Sequence, residues 1–352
     1  MRDWAAEAQK VSSLDPAWIQ KARQRLKEQT RPEGSLGVLE RLLERLAAIQ
    51  KKEKPSVARK RILIFAADHG VTEEGVSLYP REVTKAMVLN FLNGGATINA
   101  LARHVGAEVA VVDIGVNADF EPDPRLIHAK AGRGTRNMTQ EAAMTEAEFD
   151  SAMTVGWNLA ERAKADGVEL LGLGEMGIGN TTAASGVIAA LLKCSVESVT
   201  GRGTGLNDSQ LAHKVEVIKN AHALHQKSFF GPLSILRCVG GYELAAMTGA
   251  ILAAAKLSLP IVVDGWIVSA SALAAIQLNS NILDYLFFAH QSEERGHRYL
   301  FETLELQPVL NLSMRLGEGS GAALAMSILE AAVCVYNEVA TFTEAGVAKR
   351  ER

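Results

Sequence analysis

Short apolar runs alternate with longer amphipathic segments along most of the chain after about residue 57. The runs are rich in Val, Ile and Leu and end in glycine or a polar residue, as expected for strands buried on both faces of a parallel sheet. The pattern predicts βαβ units and an α/β fold around a mainly parallel sheet. The predicted strands are 61–70, 108–116, 168–177, 259–268, 282–290 and 309–321, and the predicted helices are 81–104, 145–166, 181–193 and one that ends near Tyr336.

The first 57 residues have a different pattern, because helical periodicity is the only regular signal there. Asp15 precedes Pro16, which suits an N-cap followed by proline at the first helical position. A second helical pattern, rich in Leu, Glu and Arg, covers residues 35–52. We therefore predict an all-helical appendage ahead of the α/β region.

Composition and charge exclude several classes of function. The formal net charge of the 352 residues is −3, whereas nucleic-acid binding needs a basic excess or a basic face. The cysteines, Cys194, Cys238 and Cys334, lack metal-ligand spacing and are interpreted as buried thiols in a reducing compartment. The N-terminus has no apolar signal-peptide core, and the longest apolar stretch, 245–259, is too short and too polar to span a bilayer. We expect a cytoplasmic protein that binds neither nucleic acid nor membrane.

Polar side chains with useful chemistry follow the predicted strands. Ligands of parallel α/β sheets bind outside the carboxyl ends of the strands, so a shared site is predicted at that edge. The residues concerned are Asp68, Asp113, Glu175, Asp264, His290 and Glu318.

The segment GEMGIGNTT, residues 174–182, joins a predicted strand to a predicted helix. Its glycines allow a ligand to approach the backbone, and the first turn of a helix favours an anion. The spacing matches a phosphate-binding loop, but Asn180 stands where a nucleoside triphosphatase has lysine. This favours a monophosphate over ATP. The alternative is a tight turn that only packs the helix against the strand.

A second glycine cluster, residues 201–208, also precedes a predicted helix, which Asn207 or Asp208 would cap. Lys214 lies early in that helix and would reach an anion near its start. Two such loops in one sheet suggest that both edges of one nucleotide are held.

Glu318 lies between two glycines, just before an apolar helical segment. A carboxylate at that position is often only a favourable partner of the helix dipole. The glycines leave it accessible, however, and partial burial would raise its pKa and make it a usable general base.

The remaining candidates are weaker. His69 is more typical of a loop histidine bonded to backbone than of a catalytic group. His290 and Ser292 would contact ribose or phosphate, or cap the next helix, and the charged residues 293–295 with Arg298 are predicted to form a solvated or interface surface. No metal-ligand spacing and no dinucleotide fingerprint after the first strand are present, so neither a metal nor NAD is expected.

Eight blocks of the sequence can be compared with known families. They are, in order, AADHGV, EGVSLYPREVT, FLNGGATINALA, GEMGIGNTTAAS, GRGTGL, VDGWIVSASAL, AHQSEERGH and LNLSMRLGEGSGAALA. Together they closely resemble the nicotinate-nucleotide–dimethylbenzimidazole phosphoribosyltransferase family, from about residue 10 to 347. GEMGIGNTT and RLGEGSGAAL, within the fourth and the last block, are the most specific parts.

The resemblance implies a reaction that makes the lower-ligand nucleotide of cobalamin. Phosphoribose would pass from nicotinate mononucleotide to 5,6-dimethylbenzimidazole, giving α-ribazole 5′-phosphate and nicotinate with inversion at the anomeric carbon. The implied fold is a doubly wound, Rossmann-like sheet (58–319) with a small helical domain built from both termini (1–57 and about 320–352). The implied assembly is a homodimer that needs no cofactor and no metal.

The resemblance also implies roles for individual residues. Glu318 would be the general base, and Glu175 would be a second carboxylate near the reacting centre. The nucleotide and its phosphate would be held by Gly177, Ile178, Gly179, Asn180, Thr181, Gly203, Lys214 and Ser292, and the benzimidazole pocket would be walled by Ser77, Tyr79, Pro80, Met314 and Leu316.

Two other hypotheses remain open at the level of sequence. A nucleotide-binding sensor without catalysis would share the glycine loops but would give Glu318 no role. A degenerate phosphate-loop kinase or ATPase is disfavoured by Asn180.

Overall fold

The computed structural model describes residues 2–203 and 205–348, so Met1, Thr204 of the second glycine cluster and residues 349–352 of the predicted helical domain lie outside it. The strands are β1 Lys60–Ala67, β2 Ala107–Gly115, β3 Leu126–His128, β4 Leu170–Met176, β5 Ile261–Val263 and β6 Leu286–Phe288. They form one parallel sheet with the order β3-β2-β1-β4-β5-β6. This is the strand order of a doubly wound Rossmann-type fold. The predicted α/β class is confirmed.

The helices of the described chain pack in two groups that cover the sheet. In one group α14 contacts α3, α5 and the strands β4 and β5, and α5 contacts β2. In the other α11 contacts α6, α12 and β1, and α12 contacts α7 and β4. The helices are α1 Trp4–Gln9, α2 Pro16–Glu28, α3 Val38–Gln50, α4 Glu82–Leu92, α5 Thr97–His104, α6 Glu146–Ala165, α7 Asn180–Leu192, α8 Val196–Val199, α9 Asp208–His225, α10 Pro232–Val239, α11 Tyr242–Lys256, α12 Trp266–Leu278, α13 Arg295–Thr303, α14 Ser320–Glu338 and α15 Phe342–Ala345, with 3₁₀ turns at Gly70–Glu74, Gln226–Ser228 and Ser280–Tyr285.

Glycine residues allow helices α6 and α11 to pack in close contact in the core. A Cβ atom at Gly156 would lie 1.7 Å from the carbonyl oxygen of Ala246, and one at Gly249 would lie 2.1 Å from that of Met153. The two backbones therefore touch directly, and α11 is buried from Tyr242 to Ala255. This explains how an Ala-rich chain with few aromatic residues fills its interior.

The short strands differ from the sequence-based prediction. β5 and β6 have three residues each, because α12 already begins at Trp266 and a 3₁₀ turn occupies Ser280–Tyr285. The strand predicted over 309–321 is wrong, since Leu310 makes one isolated bridge with His290. β3 lies in a region for which the sequence predicts a loop.

The helix predicted over 81–104 is two helices. α4 ends at Leu92 and α5 begins at Thr97. Between them Gly94 has φ +74°, a left-handed conformation that ends a helix and suits glycine. The break lets α5 start beside the loop that carries Glu318, since the Ile98 N–H donates to Glu318 Oε2.

The N-terminal region is helical as predicted. Asp15 caps α2 by accepting from the Ala17 N–H, and Pro16 is its first residue. Arg25 Nε donates to the carbonyl of Tyr336 over 3.0 Å, so α2 contacts the C-terminal segment. The division into two domains stays a prediction.

Two further expectations concern buried and membrane-like segments. Cys238 is buried and Cys194 is half-buried, but Cys334 is exposed, so the expectation of three buried thiols is wrong.

Among the described helices, α14 is long and apolar enough to cross a membrane by length and composition alone, yet over half of that stretch is buried inside the protein.

Candidate active site

A cavity of about 450 Å³ lies at the carboxyl ends of β4, β5 and β6. It is next to the boundary between β1 and β4, where the strand order reverses and where doubly wound folds bind ligands. Most of the predicted site residues line it: Glu175, Gly177, Ile178, Gly179, Asn180, Thr181, Gly203, Lys214, Ser292 and Glu318, together with Ser77, Tyr79 and Leu316. Of the predicted residues, Pro80 and Met314 do not line it.

The turn from β4 into α7 requires glycine. Gly179 is the N-cap of α7 with φ +96°, and a Cβ there would lie 2.8 Å from Thr72 Cγ2. Two backbone donors of this turn are already engaged, because the Ile178 N–H donates to Thr84 Oγ1 and the Asn180 N–H to the Gly177 carbonyl. An anion at this helix end would therefore depend on the helix dipole, the remaining donors and side chains nearby.

Lys214 supplies a buried cation beside that turn. Its side chain extends from α9 and is 1% exposed, and Nζ donates to Thr181 Oγ1 over 2.8 Å. Burial lowers the pKa of Lys214 to about 8, and the charge of Glu294 opposes that shift. Gly203, with φ +53°, lies close enough that a Cβ would be 3.6 Å from Lys214 Nζ. The two glycine loops thus meet at one ammonium group.

Glu175 lies at the end of β4, inside the cavity. Oε2 accepts a hydrogen bond from Asn180 Nδ2, and a Cβ at Gly317 would lie 2.5 Å from Oε1. Burial raises the pKa of Glu175 to about 8, and the negative charges of Asp264, Glu243 and Glu318 act in the same direction. The free protein therefore holds this carboxyl mainly protonated at neutral pH.

Glu318 is held in an unusual backbone conformation. Its φ is +63°, between Gly317 and Gly319 that both have φ +86°. Non-glycine residues seldom adopt this region, and such strain persists where the surroundings enforce it. The side chain is 7% exposed, burial raises its pKa, and the Ile98 N–H approaches Oε2 at 3.4 Å. A carboxylate with one long hydrogen bond is available to accept a proton.

Several wall residues are missed by the sequence analysis. The assignment of Glu294 to solvated surface is wrong, because it lines the cavity and interacts with the charge of Lys214, and burial raises its pKa. His290, named among the strand-end residues but given no firm role, also lines it, and burial lowers its pKa. The unpredicted wall also includes Val76, Val83, Met87, Arg202, Leu206, Trp266 and Arg315.

Comparison with known proteins identifies the family. A family model described as Phosphoribosyltransferase (DBI_PRT) matches residues 11–347. The nicotinate-nucleotide–dimethylbenzimidazole phosphoribosyltransferase of Geobacter sp. strain M21 is 51% identical over 338 residues, which cover 96% of this chain and 97% of that protein. The chain belongs to the nicotinate-nucleotide–dimethylbenzimidazole phosphoribosyltransferase family. It is therefore an enzyme of the pentosyltransferase class, as the resemblance predicted.

Other members of this phosphoribosyltransferase family agree in sequence and in fold. The protein of the same name from Chlorobium chlorochromatii strain CaD3 is 47% identical, over 97% of this chain and 96% of its own length. A crystal structure of nicotinate-nucleotide–dimethylbenzimidazole phosphoribosyltransferase from Thermus thermophilus has 44% identity and a TM-score of 0.90, and it covers 96% of this chain and 100% of that one.

Two residues predicted at the same edge of the sheet, and the weaker candidate His69, lie outside the cavity of this phosphoribosyltransferase. Asp68 accepts from the Asn117 N–H at 2.8 Å, and Asp113 accepts from the Val116 N–H at 3.0 Å. His69 pairs with Glu243, Nε2 to Oε1 at 2.8 Å, and both side chains are buried. The predicted alternatives for His69, a backbone bond or catalysis, both miss this carboxylate partner, which comes from α11.

Metal ligands are not grouped in the described residues. Within 2–203 and 205–348, no set of three or more His, Cys, Asp or Glu side chains is arranged to hold a metal ion. The acidic side chains of the phosphoribosyltransferase cavity are instead close to backbone N–H groups, to Asn180 and to Lys214.

Proposed function

We propose that this enzyme transfers phosphoribose from nicotinate mononucleotide to 5,6-dimethylbenzimidazole. The products would be α-ribazole 5′-phosphate and nicotinate, with inversion at the anomeric carbon, and the role would be assembly of the cobalamin lower ligand. The observation that carries the proposal is one cavity that contains a buried ammonium group, Lys214, and a poorly hydrogen-bonded carboxylate, Glu318. The names of the relatives give the same donor, acceptor and transferred group, which supports the proposal.

The phosphate of the donor would bind between the two glycine loops. Lys214 provides a charge there, and a phosphate would stabilise its protonated form, since an anion raises the pKa of a neighbouring lysine. The start of α7 adds the partial positive charge of a helix N-terminus. Thr181 lies in its first turn, Gly179 is its N-cap, and Gly177 precedes it in the turn from β4. Ser292, which also lines the cavity, would contact the nucleotide.

The acceptor base would lie against the apolar part of the wall. Val76, Val83, Met87 and Leu316 line the cavity beside Ser77 and Tyr79. A flat bicyclic base with two methyl groups suits such a wall, because burying apolar surface contributes about 25 cal/mol per Å².

The transfer needs a general base for the acceptor, but it needs no general acid for the leaving group. Nicotinate is a pyridinium in the donor, so it leaves as a neutral pyridine ring when its bond to C1′ breaks. One nitrogen of the benzimidazole forms the new bond to C1′, and Glu318 would remove the proton from the other nitrogen. A positioned general base contributes roughly 10²–10⁴-fold to a rate.

Glu175 would stabilise the positive charge that develops on the ribose. In the free enzyme its pKa of about 8 keeps it mainly protonated. The cationic pyridinium of the donor favours the ionised form, because an opposite charge nearby lowers a carboxyl pKa. Donor binding would thus deprotonate Glu175 where its charge is needed.

The proposal is tested by an end-point assay of the wild-type enzyme. Nicotinate mononucleotide and 5,6-dimethylbenzimidazole are mixed with the protein in the presence of EDTA, and the products are separated by chromatography and weighed by mass spectrometry. Formation of α-ribazole 5′-phosphate with an equal amount of nicotinate supports it. Absence of product while nicotinate mononucleotide still binds would overturn it in favour of a nucleotide-binding sensor.

The homodimer and the separate helical domain belong to this proposal. Light scattering of the purified protein should give twice the mass of the 37.7 kDa chain. A measured mass equal to that of a single chain would contradict the homodimer.

A further inference from the structure

Asp264 holds the backbone that immediately follows Glu318. Its side chain is 1% exposed and comes directly after β5. Oδ2 accepts from the Gly319 N–H at 3.1 Å, and Oδ1 accepts from the Ala322 N–H at 2.9 Å. Both donors belong to the start of α14. Asp264, which follows β5, therefore caps this helix with both of its carboxylate oxygens.

The segment that Asp264 holds is strained. Gly317, Glu318 and Gly319 all have positive φ, and the middle residue is the one with a Cβ. Position 174 of the neighbouring strand β4 also has to be glycine, since a Cβ there would lie 2.6 Å from the Gly319 nitrogen. An unusual backbone of this kind costs about 1–3 kcal/mol and persists only where neighbouring contacts determine it. The two hydrogen bonds from Asp264 are such contacts.

Close packing against Gly321, in the first turn of α14, leaves the Asp264 side chain little freedom to move. A Cβ at Gly321 would lie 2.9 Å from Asp264 Oδ1 and 2.1 Å from His290 Cδ2. Gly321, in the first turn of α14, therefore packs closely against both the Asp264 carboxylate and the His290 imidazole. This close packing holds the backbone beside Glu318 and so limits where Glu318 can direct its side chain.

We propose that Asp264 is a positioning residue for Glu318, which clamps the start of α14 so that the Glu318 carboxylate points at the benzimidazole proton. The inference rests on the proposed function, and it adds a role that binding of the substrates does not require. Asp264 would contribute to kcat through Glu318 and would leave the affinity for nicotinate mononucleotide unchanged. A displacement of about 1 Å in a catalytic group can cost about 10²-fold in rate.

The test compares Asp264→Ala and Asp264→Asn with the wild type. In Asp264→Asn one amide oxygen can still accept from a backbone N–H, but the NH₂ group faces the other donor. We expect kcat to fall about 100-fold in Asp264→Ala and about tenfold in Asp264→Asn, with KM for nicotinate mononucleotide and its calorimetric affinity within about threefold of wild type. If Asp264→Ala does not fold, Asp264→Asn decides the question.

Asp113→Asn is the matched control. Asp113 is also fully buried at the carboxyl end of a strand and also accepts from a backbone N–H. It differs in that its carboxylate pairs with Lys130 and it does not line the cavity. Its variant should lose stability while kcat of the folded enzyme stays within about threefold of wild type. A kcat within about threefold in both Asp264 variants, or a loss that appears in KM alone, would overturn the proposal.

A double-mutant cycle separates positioning from general damage. In the Glu318→Gln background, Asp264→Asn should change the residual turnover less than about twofold, because there is no base left to position. An equal loss of about tenfold in both backgrounds would contradict the proposal. Wild-type turnover measured alongside shows whether the transferase activity itself exists, so a failure of the proposed function is distinguished from a failure of this inference.

Discussion

Asn180 Nδ2 donates a hydrogen bond to Glu175 Oε2, which joins the first residue of α7 to the end of β4. Asn180 occupies the position where a phosphate-binding loop of a nucleoside triphosphatase has its lysine. In this enzyme the side-chain amide of Asn180 binds the Glu175 carboxyl group, and the cation near the turn is the ammonium group of Lys214 from α9. The glycine spacing of the loop therefore matches that of triphosphate-binding proteins, while its charged groups are arranged differently.

Glu175→Gln should stabilise the free enzyme. The pKa of Glu175 is raised from 4.5 to about 8, chiefly by burial. A carboxyl with a raised folded-state pKa contributes stability that is fully present below the unfolded pKa and is lost as the pH rises through the folded pKa. Glutamine has no such loss, so the Tm advantage of the variant should grow between about pH 5 and pH 8. Thermal denaturation at several pH values measures this.

Glu146→Gln is the control for that series, because Glu146 is exposed at the start of α6. Its Tm difference from wild type should stay nearly constant across the same pH range. A Tm difference for Glu175→Gln that shrinks as the pH rises would contradict the assignment of a raised pKa.

Lys214→Met should weaken donor binding without unfolding the protein. Removal of a charge-assisted hydrogen bond to phosphate costs about 1.5–3 kcal/mol, which corresponds to roughly a 10- to 100-fold rise in KM for nicotinate mononucleotide. Methionine fills a similar buried volume, so Tm should not fall. Lys219→Met, which removes a half-exposed lysine of the same helix, should leave KM unchanged.

The pH dependence provides a second test of Lys214. Its pKa is lowered from 10.5 to about 8 by burial, so the free enzyme loses the positive charge as the pH rises through about 8. In the wild type, kcat/KM for nicotinate mononucleotide should fall above that pH, since kcat/KM reports the free enzyme. The alkaline fall should be absent in Lys214→Met, and its persistence there would assign it to another group.

Gly317→Ala should damage the site more than its backbone strain alone predicts. Gly317 has φ +86°, and its added Cβ would lie 2.5 Å from Glu175 Oε1. Gly34→Ala is the matched control, because Gly34 has φ +75° with no atom within 4 Å of the added Cβ. Both variants should lose about 1–2 kcal/mol of stability from the left-handed backbone. Only Gly317→Ala should lose about tenfold or more in kcat, and equal activities would contradict a close packing of this loop on Glu175.

The parts of the fold that the sequence predicts well are those with a local signal. β1, β2 and β4 are long apolar runs, and the glycine loops 174–182 and 201–208 stand where close backbone approach demands glycine. In contrast, β3, β5 and β6 have three residues each, which is too short for a periodic pattern. The extended segment around Leu310 pairs at one bridge only, so apolar composition alone overstates it as a strand.

The site residues show the same division. Glu318 is recognisable from its flanking glycines, but the clamp on the next residue, Gly319, comes from Asp264, 55 positions earlier, and no local pattern links them. Glu294 has the sequence context of a solvated helix start, and only the tertiary structure reveals that it lines the cavity within reach of the Lys214 charge. Met314 lies close before Leu316 in the chain, yet of these two only Leu316 belongs to the cavity wall, because the segment is not a regular strand.

The most direct test of the account is the turnover of Glu318→Gln with nicotinate mononucleotide and 5,6-dimethylbenzimidazole, measured together with its affinity for the donor. If Glu318 is the general base, kcat should fall by roughly 10²–10⁴-fold, while calorimetric affinity for nicotinate mononucleotide should stay within about threefold of wild type. The same assignment predicts that the wild-type kcat falls as the pH drops through the pKa of Glu318, which burial raises. A variant with kcat within about threefold of wild type would contradict the assignment of Glu318 as the base.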